Sequence, residues 1–202
     1  MIGQRRAVVL ASASGTRARI LSEAGVAFER DPPDLDEAVI RSRMWDRGAD
    51  VEAAARELAR AKADEISPRH PGAFVVAADQ ILECEGVWFE KPSGREGVLN
   101  HLERLRGHTH RLVTASCVVT DSQPVWEVVD TAALSMRALS DDFIAAYARD
   151  AGPEILESVG AYRIEALGAQ LFSRIDGDYF TVLGLPLLPL LEFMREAGVI
   201  NR

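Results

Sequence analysis

Apolar and polar positions along the chain alternate in a way that predicts short buried strands separated by amphipathic helices. An apolar run from Ala7 to Ala11 predicts a buried strand, and Thr16 to Ala24 follows with Ile20, Leu21 and Ala24 on one helical face before Gly25 stops it. Val26 to Glu29 predicts a second short strand. Asp31 to Glu37, DPPDLDE, packs two prolines and four carboxylates together and is expected to be a loop. Strong helix formers in VEAAARELARAKADEIS, with Asp50 placed to cap and Pro68 just beyond, predict a helix over 50–67. Phe74 to Ala77 is a dense apolar run that leads into Asp79, and Ile81 to Phe89 continues in strand fashion around a turn at Glu85-Gly86. Ser93 opens a helix to about Arg106, His110–Thr120 and Val125–Arg137 pair as a hairpin, and Ser140 opens a helix through Ala151. Ser158 to Ile175 reads as irregular strand and loop, and Leu187 to Ala197 as a closing helix. This order of elements predicts an α/β or α+β fold with a mixed sheet, in a single domain over 1–202 without repeat or linker.

Composition narrows the function classes. The 202 residues are 48% hydrophobic and 27% charged, which suits one sizeable core. A net charge of -8 and a pI near 5.1 argue against a broad nucleic-acid surface, because such binding needs clustered cations, and leave room for a local basic pocket. Only Cys84 and Cys117 are present, with no CxxC, so neither a disulfide framework nor a cysteine zinc site is expected. The apolar stretch at the N-terminus is broken by serines too soon for a leader core, and FTVLGLPLLPLL is too short and proline-rich to span a membrane. A cytoplasmic protein is the expectation.

Candidate chemistry begins at VVLASASGTRARIL, Val8 to Leu21. Hydroxyls, a glycine and arginines at a strand-to-helix junction make either a serine-capped helix or an anion cradle, since a helix N-terminus offers free N–H groups and partial positive charge. Ser12, Ser14, Thr16 and Arg17 are the donors there. No Walker loop, GxGxxG, HExxH or GxSxG occurs, and His70, His101, His108 and His110 have no ligand spacing, which disfavours nucleophilic catalysis by a side chain. Asp79, directly after FVVAA, must be paired, metal-bound or catalytic to offset its desolvation. Lys91-Pro92 lies at a strand end. Glu37 is either a solvated turn residue or a carboxylate ligand for magnesium, and Lys62, four residues after Leu58, either snorkels or points into a cleft.

Taken together, LASASGTR (10–17), DLDE (34–37), LARAKA (58–63), AADQ (77–80), EKP (90–92), LRGHTH (105–110), SVGAY (158–162) and DGDYFTVLGLPL (176–187) resemble the Maf family of nucleoside triphosphate pyrophosphatases, which includes proteins once named septum formation inhibitors. The resemblance implies an elongated mixed sheet in two lobes with flanking helices and a central cleft, similar to inosine triphosphatase (Ham1-like) and often dimeric. It implies hydrolysis of a nucleoside triphosphate between its α and β phosphates with a divalent cation, Mg²⁺ or Mn²⁺. By position, Ser12 and Arg17 match the phosphate-binding loop, with Ser14 beside them. Glu37 matches the loop acid, Lys62 the helix lysine, Asp79 the proton acceptor and shared metal ligand, and Lys91 the lysine before proline.

Departures from the commonest family pattern are specific. SGTR replaces SPRR, so Thr16 stands at the first arginine; Asp79-Gln80 replaces Asp-Thr; SVGAYRIEALG places Ser158 at a lysine and Glu165 at a glutamine. Three of these look like the branch assigned to 7-methyl-GTP, which implies Gln80 and Glu165 as substrate-binding residues. A carboxylate suits paired guanine donors and a positively charged base, whereas the plain alternative for Glu165 is a surface acid on an edge strand. Base preference is open between 7-methyl-GTP and a broader set. A nucleotide-binding regulator of cell division with little turnover is the alternative function, and a domain with a protein partner is a third.

Overall fold

Three consecutive apolar residues that must leave water set the first element, and the remaining strands assemble beside it. The computed structural model describes residue 4 and residues 6–201; part of the N-terminal stretch just read as lacking a leader core lies outside the described residues. Strand β1 (Val8–Leu10) is wholly buried and pairs in parallel with β2 (Glu29–Arg30) and β3 (Phe74–Cys84), with Leu10 level with Arg30 on one side and Val76 on the other. Strand β4 (Val87–Phe89) returns antiparallel to the end of β3 through a turn in which Glu85 and Gly86 both have positive φ. Such a turn matches the natural twist of a hairpin. β5 (Thr109–Thr120) and β6 (Gln123–Met136) are neighbours joined through Asp121-Ser122, and β7 (Phe172–Asp176) lies antiparallel to β6. The order β2-β1-β3-β5-β6-β7, with β4 on β3, is the expected mixed sheet.

Among the described residues seven α-helices accompany these strands: α1 (Gly15–Glu23), α2 (Glu37–Asp46), α3 (Val51–Ile66), α4 (Gly94–Leu105), α5 (Asp141–Asp150), the single turn α6 (Tyr179–Val182) and α7 (Leu187–Glu196). Side-chain caps hold several of them. Ser14, Asp50 and Ser140 each accept a backbone N–H of the first turn, from Arg17, Ala53 and Phe143 respectively. Ser93 occupies the cap position of α4 without such a bond.

Two expectations need correction. The second strand is only Glu29–Arg30, so Val26 to Phe28 is not strand; Val26 instead packs into the core. The acidic loop ends one residue early, because Asp36 caps α2 by accepting from Val39 N at 3.2 Å and Glu37 opens that helix. α2 left no apolar stripe in the sequence, since none of its residues is buried.

The chain forms two compact units: Met1–Gln80, Thr114–Asp130 and Asp178–Arg202 in one, Ile81–Val113 and Thr131–Gly177 in the other. In the first, Val8, Leu10, Val76 and Ala78 pack with Ile20 and Leu21 of α1 and Leu187, Leu190 and Met194 of α7. Cys117 there is a buried thiol pushed up to about 12 by desolvation, which makes it a core hydrophobe rather than a nucleophile. No helix among the described residues is long and apolar enough to cross a membrane.

The second unit buries an uncommon polar pair. His110 is fully buried, its Nε2 lies 2.6 Å from the Tyr162 hydroxyl, and Nδ1 has no hydrogen-bond partner. Gly160 makes room for that phenol ring, since a Cβ there would sit 2.2 Å from a ring carbon. Burial lowers the His110 pKa to about 4, so the fold admits only the neutral ring. The unfolded chain, with an ordinary histidine, therefore binds the extra proton between about pH 6.5 and 4. This contribution to stability is complete above pH 6.5 and is lost as pH falls through that window, by about 2 to 3 kcal/mol. Urea denaturation at pH 7 and pH 4.5 checks it: His110→Gln, which retains a partner for Tyr162, should lose clearly less on acidification than wild type. Equal losses would mean His110 does not set the response.

Candidate functional site

The first unit gathers most of the residues singled out in the sequence. α3 lays Val51, Ala54, Ala55, Leu58, Ala59, Ala63 and Ile66 into the core, and Lys62 lies within that buried stripe. It does not snorkel. Lys62 is 5% exposed, and its Nζ donates to Asp79 Oδ1 at 2.6 Å and lies 3.0 Å from Glu37 Oε1. Asp79 sits within β3 at 3% exposure, paired through one oxygen only; its Oδ2 is buried without a hydrogen-bond partner. Glu37 contributes from the first turn of α2 with a side chain 41% exposed. One ammonium thus holds two carboxylates, and the unused oxygen of Asp79 is an acceptor with nothing to accept from among the described residues.

The strand-to-helix junction is built around Ser12 and Arg17. Ser12 Oγ accepts from Ser14 N at 3.2 Å and from Arg17 Nη1 at 3.4 Å, while Ser14 Oγ caps α1. Arg17 Nε donates to the carbonyl of Gly184 at 2.7 Å. Gly184 has φ +92°, so its backbone geometry calls for glycine, and the Arg17 guanidinium lies in contact with it. Burial lowers the Arg17 pKa, and the carboxylates of Asp79 and Glu37 oppose that shift. The guanidinium stays charged.

Gly184 is held in turn by a scaffold of hydrogen bonds. Asp178 Oδ1 accepts from Phe180 N and Thr181 N, and Thr181 Oγ1 donates to Asp130 Oδ2 at 2.6 Å. Gln80 Nε2 donates to Thr114 Oγ1 at 2.8 Å and to the Thr181 carbonyl at 2.9 Å. Sequence reasoning missed Thr114, Asp130, Asp178, Thr181 and Gly184 as builders of this site. The signal for Asp178, Thr181 and Gly184 was the run DGDYFTVLGLPL, but only long-range contact gives its residues a task, and Thr114 and Asp130 lie outside it on β5 and β6. Arg30 was missed as well: its Nε donates to the Ser12 carbonyl at 3.0 Å and its Nη2 to that of Ala13.

Two expected site residues belong to the second unit. Lys91 is exposed, with Nζ 3.2 Å from Glu157 Oε2. Glu165 is not on an edge strand: the backbone turns there, with Ala166 N donating to the Arg163 carbonyl, and the Glu165 side chain is only 14% exposed with Oε1 accepting from Arg163 Nε at 3.2 Å. A carboxylate so enclosed is not a plain surface acid.

Among the described residues no cluster of three or more histidine, cysteine, aspartate or glutamate side chains is assembled for an ion. A hard dication of the magnesium type does not require one, because it takes one or two carboxylates and completes its shell with water and substrate phosphates. The unpartnered Oδ2 of Asp79 and the half-exposed carboxylate of Glu37 fit that demand.

Comparison with known proteins converges on one family. The chain is 46% identical to the "Nucleoside triphosphate pyrophosphatase" of Paramagnetospirillum magneticum, over 94% of this chain and 98% of that protein. It is 43% identical to the "7-methyl-GTP pyrophosphatase" of Rhizobium etli, over 96% and 98%. A solved HAM1 protein from Coxiella burnetii is similar at 14% identity and a TM-score of 0.46, covering 78% of this chain and 92% of that one. The family described as Maf-like protein matches residues 7–197, and with relatives this similar along almost their whole length, the chain belongs to it.

Proposed function

We propose that this chain is a nucleoside triphosphate pyrophosphatase that cleaves between the α and β phosphates, releasing a nucleoside monophosphate and pyrophosphate, and so removes non-standard nucleotides. The observation that carries this reading is the buried Lys62 bridging Asp79 and Glu37 beside a strand-to-helix anion loop, in a chain 46% identical to a curated enzyme of that name. In-line attack on phosphorus needs a base for water, cations for the spreading charge, and fixed geometry. Asp79, with its free Oδ2, takes the proton from water. Lys62 holds that carboxylate in place through the 2.6 Å bond to Oδ1. Arg17, fixed by Gly184, presents its remaining N–H groups to phosphate oxygens, together with the Ser12 hydroxyl. Ser14 and Gln80 spend their hydrogen bonds on the chain and serve by holding the loop and the 181–184 segment.

Asp79 and Glu37 would hold Mg²⁺ or Mn²⁺, whose chemistry is to neutralise and orient the phosphates. The family resemblance adds Lys91 to the substrate-binding residues and also Glu165, a carboxylate oriented by Arg163 and suited to the paired N–H donors of a guanine, which favours 7-methyl-GTP. That preference is supported by likeness to an enzyme of that name. The 202 residues act as one nucleotide-processing domain, in the cytoplasm and as a homodimer.

Pyrophosphate release from 7-methyl-GTP, GTP, dTTP, UTP and CTP, with and without magnesium, tests the reading. Metal-dependent release with 7-methyl-GTP preferred is expected. Nucleotide binding without release from any of them would instead favour a regulator.

A further inference from the structure

The charged residues assembled around Asp79 in the first unit carry no surplus of positive charge. Arg17 and Lys62 are matched by Asp79 and Glu37, and residue 16, at the start of α1, is a neutral threonine. A triphosphate brings several negative charges and binds best where cations with unspent N–H groups face it. Such a cation is present on the neighbouring strand. β2 runs parallel to β1 with Arg30 level with Leu10, so its side chain starts beside the strand end from which the Ser12–Ser14 loop departs. There its guanidinium is seated on the backbone: Nε donates to the Ser12 carbonyl at 3.0 Å and Nη2 to the Ala13 carbonyl. These bonds use two of the five donors of an arginine, and no carboxylate among the described residues pairs with it. Arg17, by comparison, has a carbonyl and a hydroxyl as partners and two carboxylates in its field.

We propose that Arg30 is a phosphate-binding residue of this site, its guanidinium fixed by the carbonyls of Ser12 and Ala13 and its three remaining N–H groups directed to phosphate oxygens. The inference rests on the pyrophosphatase reading for the identity of the ligand. The competing role is a brace that shapes the loop through its two carbonyl bonds and never meets an anion.

Charge separates the two. Arg30→Lys keeps the cation and gives up the paired seat, whereas Arg30→Gln keeps one amide donor for a carbonyl and gives up the cation. Binding of inorganic tripolyphosphate, followed by calorimetry in the presence of magnesium, should weaken about tenfold or more in Arg30→Gln and by only a few-fold in Arg30→Lys. In turnover, Arg30→Gln should raise KM for the nucleoside triphosphate while kcat stays within about threefold, because the contact is made before and during reaction alike. Wild-type affinity in Arg30→Gln would overturn the proposal, as would equal losses in the two variants. The binding measurement needs no turnover. A wild-type protein that binds tripolyphosphate through Arg30 yet releases no pyrophosphate would sink the enzyme reading and leave this one standing.

Discussion

Asp79→Asn should reduce pyrophosphate release by about a thousandfold with every nucleotide, while nucleotide binding survives. An amide has the size of the carboxylate but cannot take a proton from water, and general-base catalysis contributes roughly 10²–10⁴-fold. It also presents a weaker ligand to the cation. The expected signature is a fall in kcat with KM little changed, since the interaction lost matters most in the transition state. Steady-state kinetics of the purified variant check this, with a nucleotide-binding isotherm as the control for folding. Turnover within tenfold of wild type would remove Asp79 from the role of base. Glu37 has too exposed a side chain to inherit the task unchanged, so a residual rate would have to come from the bound cation and the anion loop.

Lys62→Met should be the most destabilising single change at the site. Breaking a buried ion pair by deleting one partner costs about 3–5 kcal/mol, because the surviving charge is left in a poor solvent. Here Asp79 would keep both oxygens buried without a donor, while the half-exposed Glu37 can turn to water. The thermal midpoint should fall by on the order of 10 °C for a chain of this size. Adding Asp79→Leu should restore most of the loss, since a buried pair is often replaceable by apolar side chains even though half of it is not. A Lys62→Met protein as stable as wild type would show that the ion pair is solvated in solution.

Much of this site was legible in the sequence, and the reasons differ by residue. Asp79 announced itself because five apolar neighbours left it no water. Lys62 could be placed on the margin of a helical stripe, but only contact with β3 decided that it is buried and paired. Glu37 lay in a segment whose composition spoke of loop, because α2 owes its start to the Asp36 cap and has no buried face to leave a periodic trace. The late start of β2 has a similar cause: Val26 was apolar for the sake of the core beneath α1, not for a sheet. Arg30 and Gly184 could not be found locally at all. Their partners are carbonyl or guanidinium groups 17 to 167 positions away, and nothing in a residue's own neighbourhood encodes which strand end it will meet. Glu165 shows the opposite failure, a residue noticed early but pictured on a strand where the chain in fact turns.

The bond from Arg17 to Gly184 has a consequence for biosynthesis. During translation the strand, loop and helix of the anion site are made well before the carbonyl that fixes the arginine, which lies 167 positions further along the chain. Until then the guanidinium has no anchor, and the Asp178–Leu185 segment that supports it does not exist. A nascent chain stalled before residue 184 therefore has the cations of the loop without the arrangement that makes them a nucleotide site. Such a chain should not retain triphosphate, so the site matures only after residue 184 has been made.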